Sequence, residues 1–157
     1  MYRFKTAVVG GTFDEFHKGH KTLLMKAFEV SDNVVIGLCS DEFVKELRKP
    51  HVTAPYAKRL EELRRFLEGH GLSDRYRIIP LDDVYGVTLS ESSVDAIIVS
   101  RETEHTAVRI NNERRRRGLS PLTIVAISMV PSENHFPIST TRIRRGEIDR
   151  QGRILSM

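Results

Sequence analysis

Two histidines and three glycines lie close together near the start of the chain, in the run Gly10-Gly11-Thr12-Phe13-Asp14-Glu15-Phe16-His17-Lys18-Gly19-His20. Paired glycines allow a ligand to approach the backbone closely. His17 and His20 are three residues apart at the predicted start of a helix, so their rings share one face. Free N–H groups at a helix start favour an anion, and imidazole donors there would stabilise charge that develops during phosphoryl-type transfer. The glycine spacing fits neither the Walker A loop nor the dinucleotide fingerprint, so the run predicts a phosphate site of another kind.

Five short apolar runs alternate with amphipathic segments along the chain. The predicted strands are Phe4–Gly10, Asn33–Cys39, Tyr76–Leu81, Val94–Val99 and Leu122–Ile127. The predicted helices cover residues 19–30, the stretch from Pro55 to Gly69 or Gly71, Thr103–Arg117 and a short final segment, Ser139–Arg145, while residues 40–54 form a Lys-rich, partly helical connection. Strands apolar on both faces indicate a parallel sheet covered on both sides. We therefore predict an α/β, Rossmann-like, doubly wound five-stranded parallel sheet that binds its ligand beyond the carboxyl ends of the strands.

The composition restricts the class of protein. The chain has 157 residues, of which 39% are hydrophobic and 29% charged, which predicts one globular domain over residues 1–157. The single cysteine, Cys39, excludes an intramolecular disulfide and a Cys-type zinc site, and we predict that it is a core residue. No signal peptide or apolar stretch of about 20 residues is present, so a cytoplasmic protein without a membrane partner is expected. The net charge of +4 permits an anionic ligand without requiring nucleic acid.

The histidine run resembles the first motif of the nucleotidyltransferases marked by His-x-Gly-His. Ile138-Ser139-Thr140-Thr141-Arg142-Ile143-Arg144 is similar to the second motif of that family, Ile-Ser-Ser/Thr-Thr-x-Ile-Arg, and the two motifs occur in the family's order. Within this superfamily, Val99–Thr103 and Asp82–Thr88 look like the Val-Ser-x-Glu-Thr and Asp-x-Tyr-Gly-x-Thr stretches of phosphopantetheine adenylyltransferases of the archaeal and eukaryotic type. Bacterial members are less similar, because their first motif begins with Thr where this chain has His17.

The resemblance implies transfer of AMP from ATP to 4′-phosphopantetheine, which yields dephospho-CoA and pyrophosphate by one direct displacement. It implies Mg²⁺ as the companion of ATP, held by phosphate oxygens and water rather than by a dedicated set of protein ligands. Positioning and charge stabilisation would supply the catalysis. A terminal phosphate is already ionised at pH 7, so neither a protein nucleophile nor a general base is needed.

The resemblance also implies roles for individual residues. The catalytic set is His17, His20 and one lysine, for which Lys49 is preferred over Lys45, with Arg48 as a further candidate. The expected ATP-binding residues are Gly10, Gly11, Thr12, Phe13, His17, Gly19, His20, Arg101, Ser139, Thr140, Thr141 and Arg144. The expected acceptor-binding residues are Thr12, Asp14, Lys45, Lys49, Arg59 and Asp82. Two of these have structural alternatives: Asp14 as a cap of the turn, and Arg59 as the partner of an acidic neighbour such as Glu62.

Other functions are also compatible with the sequence. Cytidylyltransferases for glycerol phosphate and adenylyltransferases for nicotinamide or flavin mononucleotide share both motifs. A hypothesis of a different class is nucleic-acid binding through Arg114–Arg117. It is disfavoured because basic residues complement the negative carboxyl end of a helix, and because no aromatic residues are interleaved with the run. Both a monomer and a homo-oligomer fit the sequence.

Overall fold

Five parallel strands form one sheet in the order β3-β2-β1-β4-β5 in this computed structural model, which describes residues 2–47, 52–90, 93–128, 143 and 149–153. The strands are β1 (Phe4–Gly11), β2 (Ser31–Cys39), β3 (Tyr76–Leu81), β4 (Ala96–Ser100) and β5 (Thr123–Ile127). β1 is the central strand, paired with β2 on one side and with β4 on the other. The strand order therefore reverses at the carboxyl end of β1, which confirms the predicted doubly wound α/β fold.

Four helices are present among the described residues: α1 (Lys18–Val30), α2 (Asp41–Glu46), α3 (Tyr56–Gly69) and α4 (Glu104–Arg116). Short 3₁₀ turns cover Ser73–Arg75 and Gly86–Leu89. β2 begins at Ser31, two residues before the predicted start. Ser31 also caps the carboxyl end of α1, so no loop separates the helix from the strand. The predicted final helix lies outside the described residues except for Ile143, which is helical.

Both faces of the sheet are covered, as the apolar strands predicted. Alternate residues of β1 point to opposite faces, with Val9 in the core formed with α1 and α3, and Val8 in the core formed with α4. The buried helix residues that meet these two faces are Leu24, Leu63 and Leu67 on one side and Ala107 and Ile110 on the other. This packing holds the carboxyl ends of the strands at one fixed edge of the sheet.

The arginine run at the end of α4 does not form a continuous exposed basic surface. Arg114 is only 2% exposed, and its Nε donates to the carbonyl of Ser120 at 2.7 Å. Arg116 and Arg117 each form an ion pair with Glu113. The run therefore closes α4 and connects it to neighbouring loops. Within the described part of the chain, none of the helices combines the length and apolar character needed to cross a bilayer.

Candidate active site

A cavity of about 540 Å³ lies at the carboxyl ends of the strands, the position that the fold predicted for a ligand. Its walls come from the ends of all five strands, the starts of α1 and α4, the helix α2 with Leu47 after it, and the 3₁₀ turn Gly86–Leu89. The volume is in the range typical of sites for small molecules. Most of the lining is apolar, and its polar side chains include those of Thr12, His17, His20, Thr88, Ser100, Glu102, Thr103 and Thr106.

The loop between β1 and α1 is held in a strained conformation. Phe13 and Glu15 have φ angles of 52° and 50°, in the left-handed region that side-chain-bearing residues rarely adopt. Phe13 and Asp14 are each 1% exposed, and Phe16 is 5% exposed. Such strain persists only where surrounding contacts determine the conformation, and it is concentrated at functional sites. The buried aromatic rings therefore fix this loop against the core.

His17 and His20 cap the start of α1 reciprocally. Nδ1 of His17 accepts a hydrogen bond from the Gly19 N–H at 3.0 Å, and Nδ1 of His20 accepts one from the His17 N–H at 3.1 Å. The two rings are stacked with their centroids 3.6 Å apart. Since Nδ1 is the acceptor in each ring, a neutral ring carries its proton on Nε2. Burial, and next the positive charge of Arg150, lower the pKa of His17 from 6.5 to about 4. His17 is therefore a neutral hydrogen-bond donor at pH 7.

Gly19 is needed for the position of the His17 ring. A Cβ atom at residue 19 would lie 2.9 Å from Cε1 of His17, closer than real contacts allow. Two of the first helical N–H groups, which the sequence analysis predicted to be free for an anion, donate to protein acceptors in this structure. The Lys18 N–H donates to the carbonyl of Arg150 at 3.0 Å, and the Gly19 N–H donates to His17. Gly19 lines the cavity, but its N–H already donates to the His17 ring.

Arg59 is buried and bonds to two residues of the cavity wall without lining the cavity itself. Its side chain is 1% exposed, and it donates to the carbonyls of Thr12, Cys39 and Ala54 at 2.8–3.0 Å. Its Nη2 also donates to Asp41 Oδ1 at 3.0 Å, so its acidic partner is Asp41 and not Glu62. In this structure the guanidinium donates to the carbonyls of Thr12 and Cys39, which line the cavity, and to that of Ala54. Arg59 itself is not a lining residue, and its contact with the acceptor stays a prediction.

Asp14 connects the loop to the segment that precedes α3. It is 1% exposed, it does not line the cavity, and its Oδ1 accepts from the Ala54 N–H at 3.1 Å. This contact joins the histidine loop to the segment before α3, 40 residues along the chain, and the predicted contact with the acceptor stays a prediction. Asp14 and Arg59 thus fix the same segment, since both of them bond to Ala54.

Three further predicted residues are exposed and absent from the cavity wall: Lys45, Asp82 and Arg101. Asp82 follows β3, but the neighbouring Asp83 is the residue that organises the turn, by accepting the N–H groups of Tyr85 and Gly86. Gly10, Gly11, Thr12 and Phe13 do line the cavity, together with both histidines. The predicted Lys49, Ser139, Thr140, Thr141 and Arg144, and the alternative Arg48, lie outside the described residues.

The structure adds wall residues that the sequence analysis did not assign to the site. Ser100 and Thr103 face each other at the end of β4, with their hydroxyl oxygens 3.2 Å apart. Both belong to the Val99–Thr103 stretch, from which the sequence analysis assigned only Arg101 to the site. Leu81 forms the floor, packed over Gly10, Gly37 and Gly86. A Cβ atom at Gly37 would lie 2.6 Å from Leu81 Cγ, so the glycine makes room for the leucine.

Comparison with known proteins agrees with the fold and shows the family. The family model described as cytidylyltransferase-like matches residues 8–146. Phosphopantetheine adenylyltransferase of Methanopyrus kandleri is 50% identical over 95% of this chain and 94% of its own length. The enzyme of the same name from Methanothermobacter thermautotrophicus is 45% identical over 98% of this chain and 91% of its own length.

A crystal structure of a protein of unknown function from Archaeoglobus fulgidus shares the fold. It superposes with a TM-score of 0.69 at 31% identity, over 79% of this chain and 98% of that one. The sequence matches to the two archaeal enzymes cover nearly the whole of both partners in each pair. The chain therefore belongs to the phosphopantetheine adenylyltransferase family of the cytidylyltransferase-like nucleotidyltransferases.

Proposed function

We propose that the protein transfers the adenylyl group of ATP to 4′-phosphopantetheine, giving dephospho-CoA and pyrophosphate. The observation that carries the choice of reaction is the 50% identity, over nearly both full lengths, with an enzyme named for it. The proposed place of the reaction is the cavity at the carboxyl end of β1, where the two histidines that cap α1 form part of the wall. We also propose that the protein acts in the cytoplasm, as the sequence analysis predicted.

The proposed chemistry is a single displacement at the α-phosphorus of ATP. An oxygen of the acceptor's terminal phosphate forms the new bond to phosphorus, and the bond from that phosphorus to the bridging oxygen of pyrophosphate breaks. The pyrophosphate leaves with the bonding electrons. The acceptor oxygen is ionised near neutral pH, because the second pKa of a phosphomonoester is about 6. The protein's task is therefore to align the two phosphates and to stabilise charge on the equatorial oxygens.

The two histidines suit the second part of that task. With Nδ1 occupied by a backbone N–H, each neutral ring offers its N–H at Nε2, and both rings lie in the cavity wall. We propose that His20 donates to the α-phosphate as charge builds up there, with His17 on the adjoining phosphates. Such donors accelerate the reaction when they bind the transition state more strongly than the ground state. Thr12, at the end of β1, is proposed to bridge toward the acceptor phosphate.

Mg²⁺ is proposed to enter the site on the phosphates of ATP. Among the described residues, no group of three or more His, Cys, Asp or Glu side chains is placed to hold a metal ion. The described polar lining consists mainly of imidazoles and hydroxyls, whereas Mg²⁺ prefers carboxylates, phosphates and water. We therefore propose that phosphate oxygens, and not protein side chains, would hold the ion in this lining. The ion would neutralise part of the charge of the triphosphate.

Pyrophosphate release by the purified protein tests the proposal. ATP or CTP is offered with Mg²⁺ against phosphopantetheine, glycerol 3-phosphate, nicotinamide mononucleotide and flavin mononucleotide. We expect release only from ATP with phosphopantetheine, and mass spectrometry should identify dephospho-CoA as the product. Release with another pair would refute the acceptor or nucleotide assignment, and an inactive grid would refute the proposed reaction.

A further inference from the structure

A tight turn near the end of the sequence packs against the loop that carries the histidines. The turn, Asp149–Arg153, is closed by a hydrogen bond from the Asp149 N–H to the Arg153 carbonyl at 2.9 Å. Oδ1 of Asp149 also accepts the N–H groups of Gln151 and Arg153, and Gly152 has a φ of 85°. The turn is therefore held by its own hydrogen bonds, and it presents Arg150 to the rest of the protein.

Arg150 contacts three elements around the histidine loop: the start of α1, the loop itself and α3. Its carbonyl accepts the N–H of Lys18, the first residue of α1, at 3.0 Å. Its Nη2 and Nε donate to Glu15 Oε2 at 3.0 and 3.2 Å, and its Nη1 donates to Glu62 Oε2 of α3 at 3.3 Å. The Glu15 that it holds is one of the two strained loop residues. Arg150 thus connects the loop, the start of α1 and α3.

These ion pairs explain little of the stability of the fold. The Arg150 side chain is 42% exposed, and Glu15 and Glu62 are 22% and 25% exposed. Ion pairs that solvent reaches contribute little to the free energy of unfolding. The contacts do restrict geometry, because a strained φ at Glu15 requires a partner that holds the residue in place. The loop and the first turn of α1 are the elements that orient both histidine rings.

We propose that Arg150 is a positioning residue for adenylyl transfer, which holds Glu15 and the first turn of α1 so that His17 and His20 keep their stacked, capped arrangement. This inference rests on the proposed function of the two histidines. Arg150 is not part of the cavity wall. It lies near Asp14 and Lys58, and it acts on the histidines through the loop.

The charge of Arg150 has a second consequence at His17. The His20 ring of α1 stacks on His17, and the charge of Arg150 in the turn acts on it. Glu15 of the loop and Glu62 of α3 pair with Arg150, and Lys18 and Lys21 lie in the first turn of α1. Burial and then the positive charge of Arg150 depress the pKa of His17 to about 4. Loss of this positive charge would remove a repulsion that disfavours the protonated ring. The pKa of His17 should therefore rise.

Three variants separate the positioning role of Arg150 from the effect of its charge and from a non-specific disturbance of the turn. Arg150→Met removes the charge and the paired hydrogen bonds, Arg150→Lys keeps the charge without the planar fork, and Arg153→Met removes an exposed charge from the same turn. We expect Arg150→Met to lower kcat about 10- to 100-fold, with the KM for ATP changed less than about threefold. Arg150→Lys should lie between Arg150→Met and wild type, and Arg153→Met should match wild type.

A histidine NMR titration supplies a readout that does not depend on turnover. We expect the His17 pKa to rise in Arg150→Met and to stay near the wild-type value in Arg150→Lys. A kcat within about twofold of wild type in Arg150→Met, or an unchanged His17 pKa in it, would overturn the proposal. If Arg150→Met does not fold, Glu15→Gln provides the same comparison, with the same expected fall in kcat. An inactive wild-type enzyme would refute the proposed function, whereas the titration would still measure the coupling of Arg150 to His17.

Discussion

Replacement of Arg59 by methionine should destabilise the protein strongly, because it removes the hydrogen bonds that a buried guanidinium donates to three carbonyls. The guanidinium is 1% exposed and donates to three backbone carbonyls, those of Thr12, Cys39 and Ala54. Its fourth partner, Asp41, has a side chain that is 50% exposed, so water compensates for much of that loss. The cost therefore comes chiefly from the carbonyls.

The size of the effect follows from the number of acceptors left without a donor. A buried polar group that loses its partner costs about 1–3 kcal/mol, and part of this is recovered where water enters. For three carbonyls we expect the free energy of unfolding to fall by about 3–5 kcal/mol in Arg59→Met. Arg59→Lys should lose less, about 2 kcal/mol, because one ammonium group reaches only some of the acceptors.

Urea unfolding at pH 7 measures both losses, with Arg65→Met as the matched control. Arg65 lies on the same helix, but its side chain is 75% exposed and pairs only with Glu61 in the described contacts. We expect the control to change the free energy of unfolding by less than about 0.5 kcal/mol. If Arg59→Met unfolds within about 1 kcal/mol of wild type while its KM for the acceptor rises tenfold, Arg59 binds ligand and its structural role is refuted.

Two further predictions concern the floor and the wall of the cavity. Gly37→Ala should lower the free energy of unfolding by about 1–3 kcal/mol, because its Cβ would clash with Leu81. Leu81→Ala in the same chain should recover part of that loss. Additive losses in a double-mutant cycle measured by urea unfolding would contradict the clash. His17 has a pKa lowered from 6.5 to about 4 by burial and by Arg150, so the folded state binds fewer protons than the unfolded state between these values. The resulting stability, at most about 3 kcal/mol, is complete above pH 6.5 and is lost as the pH falls through about 4. His17→Asn keeps a capping acceptor without a titrating ring, so it should lose less stability than wild type between pH 7 and about pH 4.5, and an equal loss would count against the assignment.

The sheet was predictable from the sequence because its strands are continuous apolar runs. Tyr76–Leu81 has the predicted bounds, and Phe4–Gly11 differs from its prediction by one residue. A parallel sheet with both faces covered places the carboxyl ends of its strands together, so the position of the Gly10–His20 run at the cavity also followed from the sequence.

The partners of individual charged residues were not predictable in the same way. Arg59 bonds to loop carbonyls at Thr12 and Cys39, which lie 47 and 20 residues away in the sequence. Arg150 meets Glu15 across 135 residues, and no periodic pattern predicts such a contact. The cap at His17 was missed because rules for helix starts favour Ser, Thr, Asp and Asn, so a capping histidine gives no signal.

The most direct test follows the α-phosphate of ATP. The purified protein is incubated with ATP labelled at the α-phosphate, Mg²⁺ and 4′-phosphopantetheine, and the label is traced by chromatography in wild type and in His20→Ala. Circular dichroism and urea unfolding confirm that the variant is folded. We predict that wild type transfers the label into dephospho-CoA, and that His20→Ala transfers it at least about 100-fold more slowly. Absence of label from dephospho-CoA in wild type, or near-normal transfer by a folded His20→Ala, would contradict the proposed reaction or the role of its histidine.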